Sequence, residues 1–329
     1  MIGQLDSLFS AVQGWLFQSV VLPLMYLSGL GAWTEDAFNG TEWFMIGVIE
    51  LALLYLLLRP LEAWIPAQPQ LAPGARRIDF LYTCIHRLGI FTLAVFFVLN
   101  PLADALAEQL RLHGISPFNL EQLWPGVTDL PLASFFVYLL VLDFFDYWYH
   151  RASHYFNWWW GLHSLHHSQR DLNLWSDNRN HLLDDFLRDA WMALVALAIG
   201  VEPGQYVLLV AASRMVQSLQ HANVRLHFGA LGERLLVSPR YHRQHHAISA
   251  SQEANADGGF HGQNFAVLFP LWDIVFGTAF FGKNFEATGV RDQLPPPQGS
   301  ARDYGHGFWA QQWLGLKRMR EFSRRKGGQ

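Results

Sequence analysis

The chain has 329 residues, 51% of them hydrophobic and only 15% charged, and its net charge is −4 with neutral histidines. A soluble domain carries about 25% charged residues, so the composition argues against a wholly water-soluble protein, and the charge leaves no broad cationic footprint for nucleic acid. One cysteine, Cys84, excludes an intrachain disulfide and a thiolate cluster, so any metal site must be built from nitrogen and oxygen.

Four stretches read as bilayer spans, each near the roughly 20 apolar residues that a hydrocarbon core about 30 Å thick demands. They are about 13–33, 43–60, 86–107 and 129–149, the first weakened by Gly and Ser and the second broken by one charge, Glu50. The connection 34–42 carries Glu35, Asp36 and Glu42 without Lys or Arg. Arg59, Arg76, Arg77 and Arg87 gather in the next connection, and KRMREFSRRKGG lies near the chain's end. The positive-inside bias places both termini and the histidine-rich half in the cytoplasm, which for a bacterial protein means the inner membrane. The Pro- and Ala-rich segment 59–79 reads as a surface-lying connection. A fifth apolar region, 189–215, is cut by GVEPG into two pieces of about a dozen residues that dip in and return, or form a buried hairpin.

The histidines are concentrated. Residues 150–167, HRASHYFNWWWGLHSLHH, hold five of the fifteen in the chain. In DFFDYWYHRASH, Asp146, His150 and His154 recur at i, i+4 and i+8, one face of a helix, and Asp143 precedes by three. Carboxylates inside an apolar span require partners. A metal-bound histidine commonly donates its other ring proton to a carboxylate, a role Asp146 can fill. His163, His166 and His167 form one HxxHH, and His242, His245 and His246 form another, after the helix-start signal SPR. Adjacent histidines diverge by about 100° on a helix of 3.6 residues per turn, so each pair can serve two metals. His181 and His221 lie between the motifs. Ten imidazoles on two six-coordinate ions leave about one open position on each. His86, His113, His227 and His306 read as ordinary surface or core residues, and Trp158–Trp160 as an interfacial anchor. So many imidazoles overshoot one four-coordinate zinc and favour a dinuclear redox centre, with zinc as the alternative occupant in purified protein.

Together, DFFDYWYHRASH, WGLHSLHHS, QHANV, PRYHRQHH and LWDIVFGT resemble the fatty acid hydroxylase/sterol desaturase superfamily, over about residues 130–279. The resemblance implies an all-α, multi-span integral membrane helical bundle with a cytoplasmic histidine-rich helical cap. It divides the chain into spans and connections (1–128), a catalytic region (129–280) and a cytoplasmic C-terminal tail (281–329). It implies a two-iron centre held by His150, His154, His163, His166, His167, His221, His242, His245 and His246, and less securely His181. Asp146 and Asn264 are placed just outside the ligands. The chain departs from the family around QNFAVLFPLWD, where Phe265 and Ala266 follow Asn264 and His261 precedes it. The expected activity is O2-dependent hydroxylation or desaturation of a fatty-acyl or sterol-like lipid, fed by a separate electron-donor protein. A metal-dependent membrane hydrolase is the rival enzyme, weakened by the lack of an HExxH-type base. A metal transporter or lipid-binding protein is the non-enzymatic rival.

Overall fold

The computed structural model describes residues 2–69, 73–116, 118–201, 203–250, 262–296 and 300–324. His261 lies outside the described residues. Among them the secondary structure is helical, and β pairing is limited to the isolated bridges Pro66–Val224 and Ala247–Thr288.

Four helices are long and apolar enough to cross a membrane: α1 (Gly3–Leu27), α2 (Gly31–Trp64), α4 (Ile90–Leu112) and α5 (Pro131–Tyr155). Between α2 and α4 lies α3 (Pro73–Arg87). The first three spans leave most of their apolar side chains uncovered, among them Leu24, Leu56, Leu57, Phe97 and Leu102. Soluble monomers rarely present so much contiguous apolar surface, so the chain is an integral membrane protein. The four spans fall where the hydropathy runs place them. Their ends differ by several residues: α1 stops at Leu27 instead of about 33, α4 starts at Ile90 because His86 and Arg87 belong to α3, and α5 runs on through His150 and His154.

Glu50 is buried in α2, and its partner is Arg87 at the end of α3, 2.8 Å away. The same guanidinium reaches Ser218 at 2.7 Å and Asp177 at 3.2 Å. An intramembrane carboxylate thus ties a span to the segments that carry the histidines.

After α5 the chain forms α6 (Asn157–His167), α7 (Leu182–Ile199) and α8 (Pro203–His221). Helix α7 ends at Gly200, whose φ of 68° is the left-handed conformation that closes a helix without a Cβ penalty. Pro203 then opens α8. The break at GVEPG is therefore where the sequence places it, but the two helices are 18 and 19 residues long, because each runs on into charged flanks. They pack with α5 around Tyr138, Leu139, Leu142, Val195, Ile199 and Leu209. Short helices α9 (Gly229–Leu235), α10 (Pro239–His245) and α11 (Leu271–Val275) follow. Ser238 caps α10 by accepting from the Tyr241 amide, with Pro239 at the first helical position.

The segment set apart in sequence as a tail carries α12 (Phe308–Arg324), which packs along α6. The two backbones touch at Gly161, where a Cβ would lie 2.5 Å from the Met319 nitrogen and 2.6 Å from its Cα. Gly161→Ala must push α12 off α6, and overpacking of this kind costs about 1–3 kcal/mol. Thermal melting of the detergent-solubilised protein should show a lowered Tm for Gly161→Ala. Gly3→Ala, whose Cβ meets nothing within 4 Å, should leave the Tm unchanged.

Candidate metal centre

Four helices deliver the histidines to one place. His150 and His154 come from α5, His166 and His167 from α6, and His242 and His245 from α10; His246 follows α10, and His221 ends α8. They form two buried groups, each with one ligand atom per residue and those atoms within 4.8 Å of one another. The first is His150, His154, His167 and His245. The second is His166, His221, His242 and His246. Neighbours in sequence go to different groups, His166 apart from His167 and His245 apart from His246, as a 100° turn per residue dictates. The groups adjoin where the rings of His167 and His246 stack, 4.3 Å between centroids.

Backbone carbonyls set the rings. His150 donates from Nδ1 to the Phe265 carbonyl at 2.8 Å, His245 to Gln263 at 2.7 Å, and His221 to Gln217 at 2.8 Å. A proton fixed on Nδ1 leaves Nε2 with a lone pair to offer a metal. Burial, helped by neighbouring imidazoles, pushes the pKa values of His166, His167, His242 and His246 well below the usual 6.5, and burial takes His245 to about 3. The rings are therefore neutral at physiological pH, the form that binds metal.

The donor set fits a cation. In the second group, Nε2 of His221 lies 3.1 Å from Nε2 of His166 and 3.0 Å from that of His242, which is 3.1 Å from Nε2 of His246. With its proton on Nδ1, His221 directs a lone pair at both neighbours. Nitrogens about 2.1 Å from one ion and about 90° apart lie about 3.0 Å from each other. Both nitrogens of His167 are buried without hydrogen-bond partners, a cost of about 1–3 kcal/mol each, and a cation bound by one of them would remove that share of the cost.

His163 joins this assembly on different terms. Its ring is 5.1 Å from His150 and 4.9 Å from His154, centroid to centroid, but it stands outside both groups of four. Its Nδ1 lies 2.8 Å from Asp184, leaving Nε2 buried and unpartnered. Burial works against charge on Asp184, yet His163 and hydrogen bonds from Trp159 and Tyr149 hold its pKa below the ordinary carboxylate value. Asp177 sits 3.6 Å from Nδ1 of His221.

Three residues singled out in sequence stand elsewhere. His181 caps α7: its Nδ1 accepts from the Leu183 amide at 3.1 Å, so Nε2 carries the proton and donates to the Gln312 carbonyl at 2.9 Å. The structure keeps His181 away from both groups and uses it to join α7 to α12. Asp146 makes two hydrogen bonds with Arg188 rather than with a histidine. Asn264 takes a φ of 58° and bonds to the Tyr241 and Phe280 carbonyls and the Phe280 amide. It shapes the loop whose carbonyls at 263 and 265 hold His245 and His150. Asp273 of the LWD motif anchors that loop, accepting from the amides of Phe265 and Ala266 at 2.8 and 2.9 Å.

The tryptophans divide as well. Trp158 is exposed, Trp159 bonds Asp184, and Trp160 is buried against the ring of His154 at 4.9 Å. Only the first is free to anchor at an interface. Sequence reasoning missed Asp184 and the two carbonyls. The aspartate was visible beside His181 in HLLDD, but backbone carbonyls leave no trace in residue type.

A cavity of about 570 Å³ lies between α2, α4, α5, α7 and α8, with an apolar lining that includes Leu93, Phe96 and Met192. A narrower cleft of about 100 Å³ reaches His150, His163, His166, His221 and His242.

Residues 135–278 match the sequence model of the fatty acid hydroxylase family. They form a fatty acid hydroxylase domain. That stretch holds every histidine of the two groups. Relatives include human alkylglycerol monooxygenase, 31% identical over 150 residues, or 46% of this chain and 31% of that protein. The alkylglycerol monooxygenase of Xenopus tropicalis is 28% identical over 171 residues, covering 50% of this chain and 36% of the relative. Ornithine lipid hydroxylase OlsE of Rhizobium tropici is 26% identical over 240 residues, covering 72% and 66%. The chain therefore matches about a third of the length of the two monooxygenases and just under two thirds of the bacterial hydroxylase. No solved structure matches the chain significantly.

His167→Ala and His242→Ala should each lower the bound metal by about half, since they strike different groups, whereas exposed His113→Ala should change nothing; elemental analysis of purified protein checks this. Asp184→Asn should weaken metal retention about 10–100-fold in chelator competition. Because the pKa of His245 falls from 6.5 to about 3 on folding, the unfolded chain takes up its proton first as pH drops. The metal-free protein should thus lose stability progressively below pH 6.5, down to about pH 3, in a series of thermal melts.

Proposed function

We propose that this protein is a membrane-bound, O2-dependent lipid hydroxylase with a two-iron centre. The observation that carries the reading is the pair of buried histidine groups on a narrow cleft that adjoins an apolar cavity among membrane helices. The names of the relatives, two monooxygenases and a hydroxylase, favour hydroxylation over desaturation.

His150, His154, His167 and His245 would hold one iron, and His166, His221, His242 and His246 the other, with His163 offering Nε2 beside the first. Bound iron supplies the reduction and activation of dioxygen. The protein's share is positioning and dryness. The carbonyls of Gln263, Phe265 and Gln217 hold three imidazoles in the metal-binding tautomer, and Asp184 holds His163. Phe265 and Trp160 cover the first group, with ring centroids 5.2 and 4.9 Å from His154, and exclude water that would quench an oxidant. The apolar cavity brings one C–H bond within reach of the centre. Overall, C–H becomes C–OH, and the second oxygen atom of dioxygen leaves as water. Two electrons come from a separate donor protein and two protons from solvent. The Arg-rich connection after α2 supports a cytoplasmic position for the histidines, where soluble donors reside.

Lipid extracts from cells with active protein and with the His167→Ala/His242→Ala double variant, compared by mass, test the reading. A lipid heavier by one oxygen atom only with the active protein is expected, and its oxygen should derive from labelled dioxygen. Label arriving from water instead would make the protein a hydrolase or hydratase.

A further inference from the structure

The large cavity and the narrow cleft share five residues: Asp146, Arg188, Asp189, Arg214 and Gln217. Three helices repeat one order across that junction. Along α5 the lining passes from Leu139 and Leu142 to Asp146 and then His150. Along α8 it passes from Val207 and Val210 to Arg214 and Gln217, then His221. Helix α7 runs the other way, from Met192 through Asp189 and Arg188 to Asp184, which holds His163. A belt of charge therefore separates the apolar chamber from the histidines.

Two charges of this belt cancel, since Asp146 and Arg188 are doubly hydrogen-bonded. The other two, Asp189 and Arg214, attract each other across the junction but do not meet. Among the described residues, neither the Asp189 carboxylate nor the Arg214 guanidinium has a hydrogen bond or an ion-pair partner within 4.0 Å. Arg214 lies over the face of Trp43, 6.0 Å from the ring centroid, and feels the charges of Asp189 and Glu50 without touching either. Charged groups withdrawn from bulk water are costly unless paired. Here a cation and an anion face the same junction without a direct hydrogen-bonded partner, leaving room for a group between them.

We propose that Arg214 and Asp189 are specificity-determining residues for an amphiphile with a zwitterionic head group. This rests on the oxygenase reading above. The anionic part of the head binds Arg214, and its cationic donor binds Asp189. A purely anionic head would leave Asp189 unpaired, and a purely cationic one would leave Arg214 so. The hydrocarbon chain occupies the 570 Å³ chamber, because the polar cleft beyond the belt, at about 100 Å³, is too small for it. The head therefore points at the metals. Gln217 and Arg214 precede His221 by four and seven residues, about 6 and 10 Å along a helix rising about 1.5 Å per residue. The carbon that is hydroxylated lies in the head group or at the adjoining end of the chain, not toward the terminal methyl.

Binding is measured on the metal-loaded full chain in nanodiscs, without oxygen or reductant, by quenching of tryptophan fluorescence. The probes are Nε-palmitoyl-lysine, palmitate, hexadecylamine and hexadecanol. The zwitterion should bind at least about tenfold more tightly than any other probe. Arg214→Gln and Asp189→Asn should each reduce that preference about tenfold and keep hexadecanol affinity within about twofold. Arg214→Lys, which keeps the charge, should retain most of the preference and guards against a Gln variant that misfolds. Equal binding of zwitterion and alcohol by the native protein overturns the proposal, as does an unchanged preference in both neutral variants or its loss in a folded Arg214→Lys. The oxygenase reading stands or falls separately. Dioxygen-derived oxygen located by fragmentation near the methyl end of the probe overturns the head-group assignment and keeps the hydroxylase. Selective binding with no oxidation under reductant and oxygen does the reverse.

Discussion

Imidazole nitrogens brought within about 3 Å of one another in a buried site need a proton or a cation between them, and the rest of this structure is arranged around that constraint. Nε2 atoms of His166, His221, His242 and His246 stand in a chain of 3.0–3.1 Å separations in a site that burial keeps uncharged. Nothing in an apolar interior favours such crowding on its own. The features that impose it are identifiable: carbonyls that fix ring protons, Asp184 beneath His163, and the α6–α12 contact that holds the second motif in place.

Much of this was legible in the residues. Span existence followed from apolar length, and the allocation of adjacent histidines to different groups followed from helical twist alone. The α10 cap was written in SPR. What was not legible depends on tertiary partners. His181 has the same residue type and neighbourhood as a ligand, and only the approach of Gln312 from 131 residues away turns it into a cap. Asp146 has ideal spacing to His150, but a guanidinium on another helix competes more strongly than an imidazole for a buried carboxylate. The two carbonyls that orient His150 and His245 belong to a loop whose shape depends on the positive φ of Asn264 and on Asp273. Spacing within one helix is readable; competition between helices is not.

The charges inside the membrane body serve different ends. Glu50, Arg87 and Asp177 are linked by ion pairs through the Arg87 guanidinium and join a span to α8 and the His221 neighbourhood. Asp143 accepts from the amides of Leu268 and Phe269 and pins the loop before α11 to α5. These carboxylates hold fixed dipoles in place, whereas Asp189 and Arg214 line the belt between chamber and cleft and attract each other without meeting.

The docking of α12 has a consequence for biosynthesis. The spans precede the histidines in the chain and can enter the bilayer during translation, but α12 closes over α6 only after residue 324 has left the ribosome. Until then α6 lacks the helix that supports it, so the second histidine motif gains its final packing late in synthesis, and clipping ahead of α12 would loosen that motif in an otherwise inserted protein.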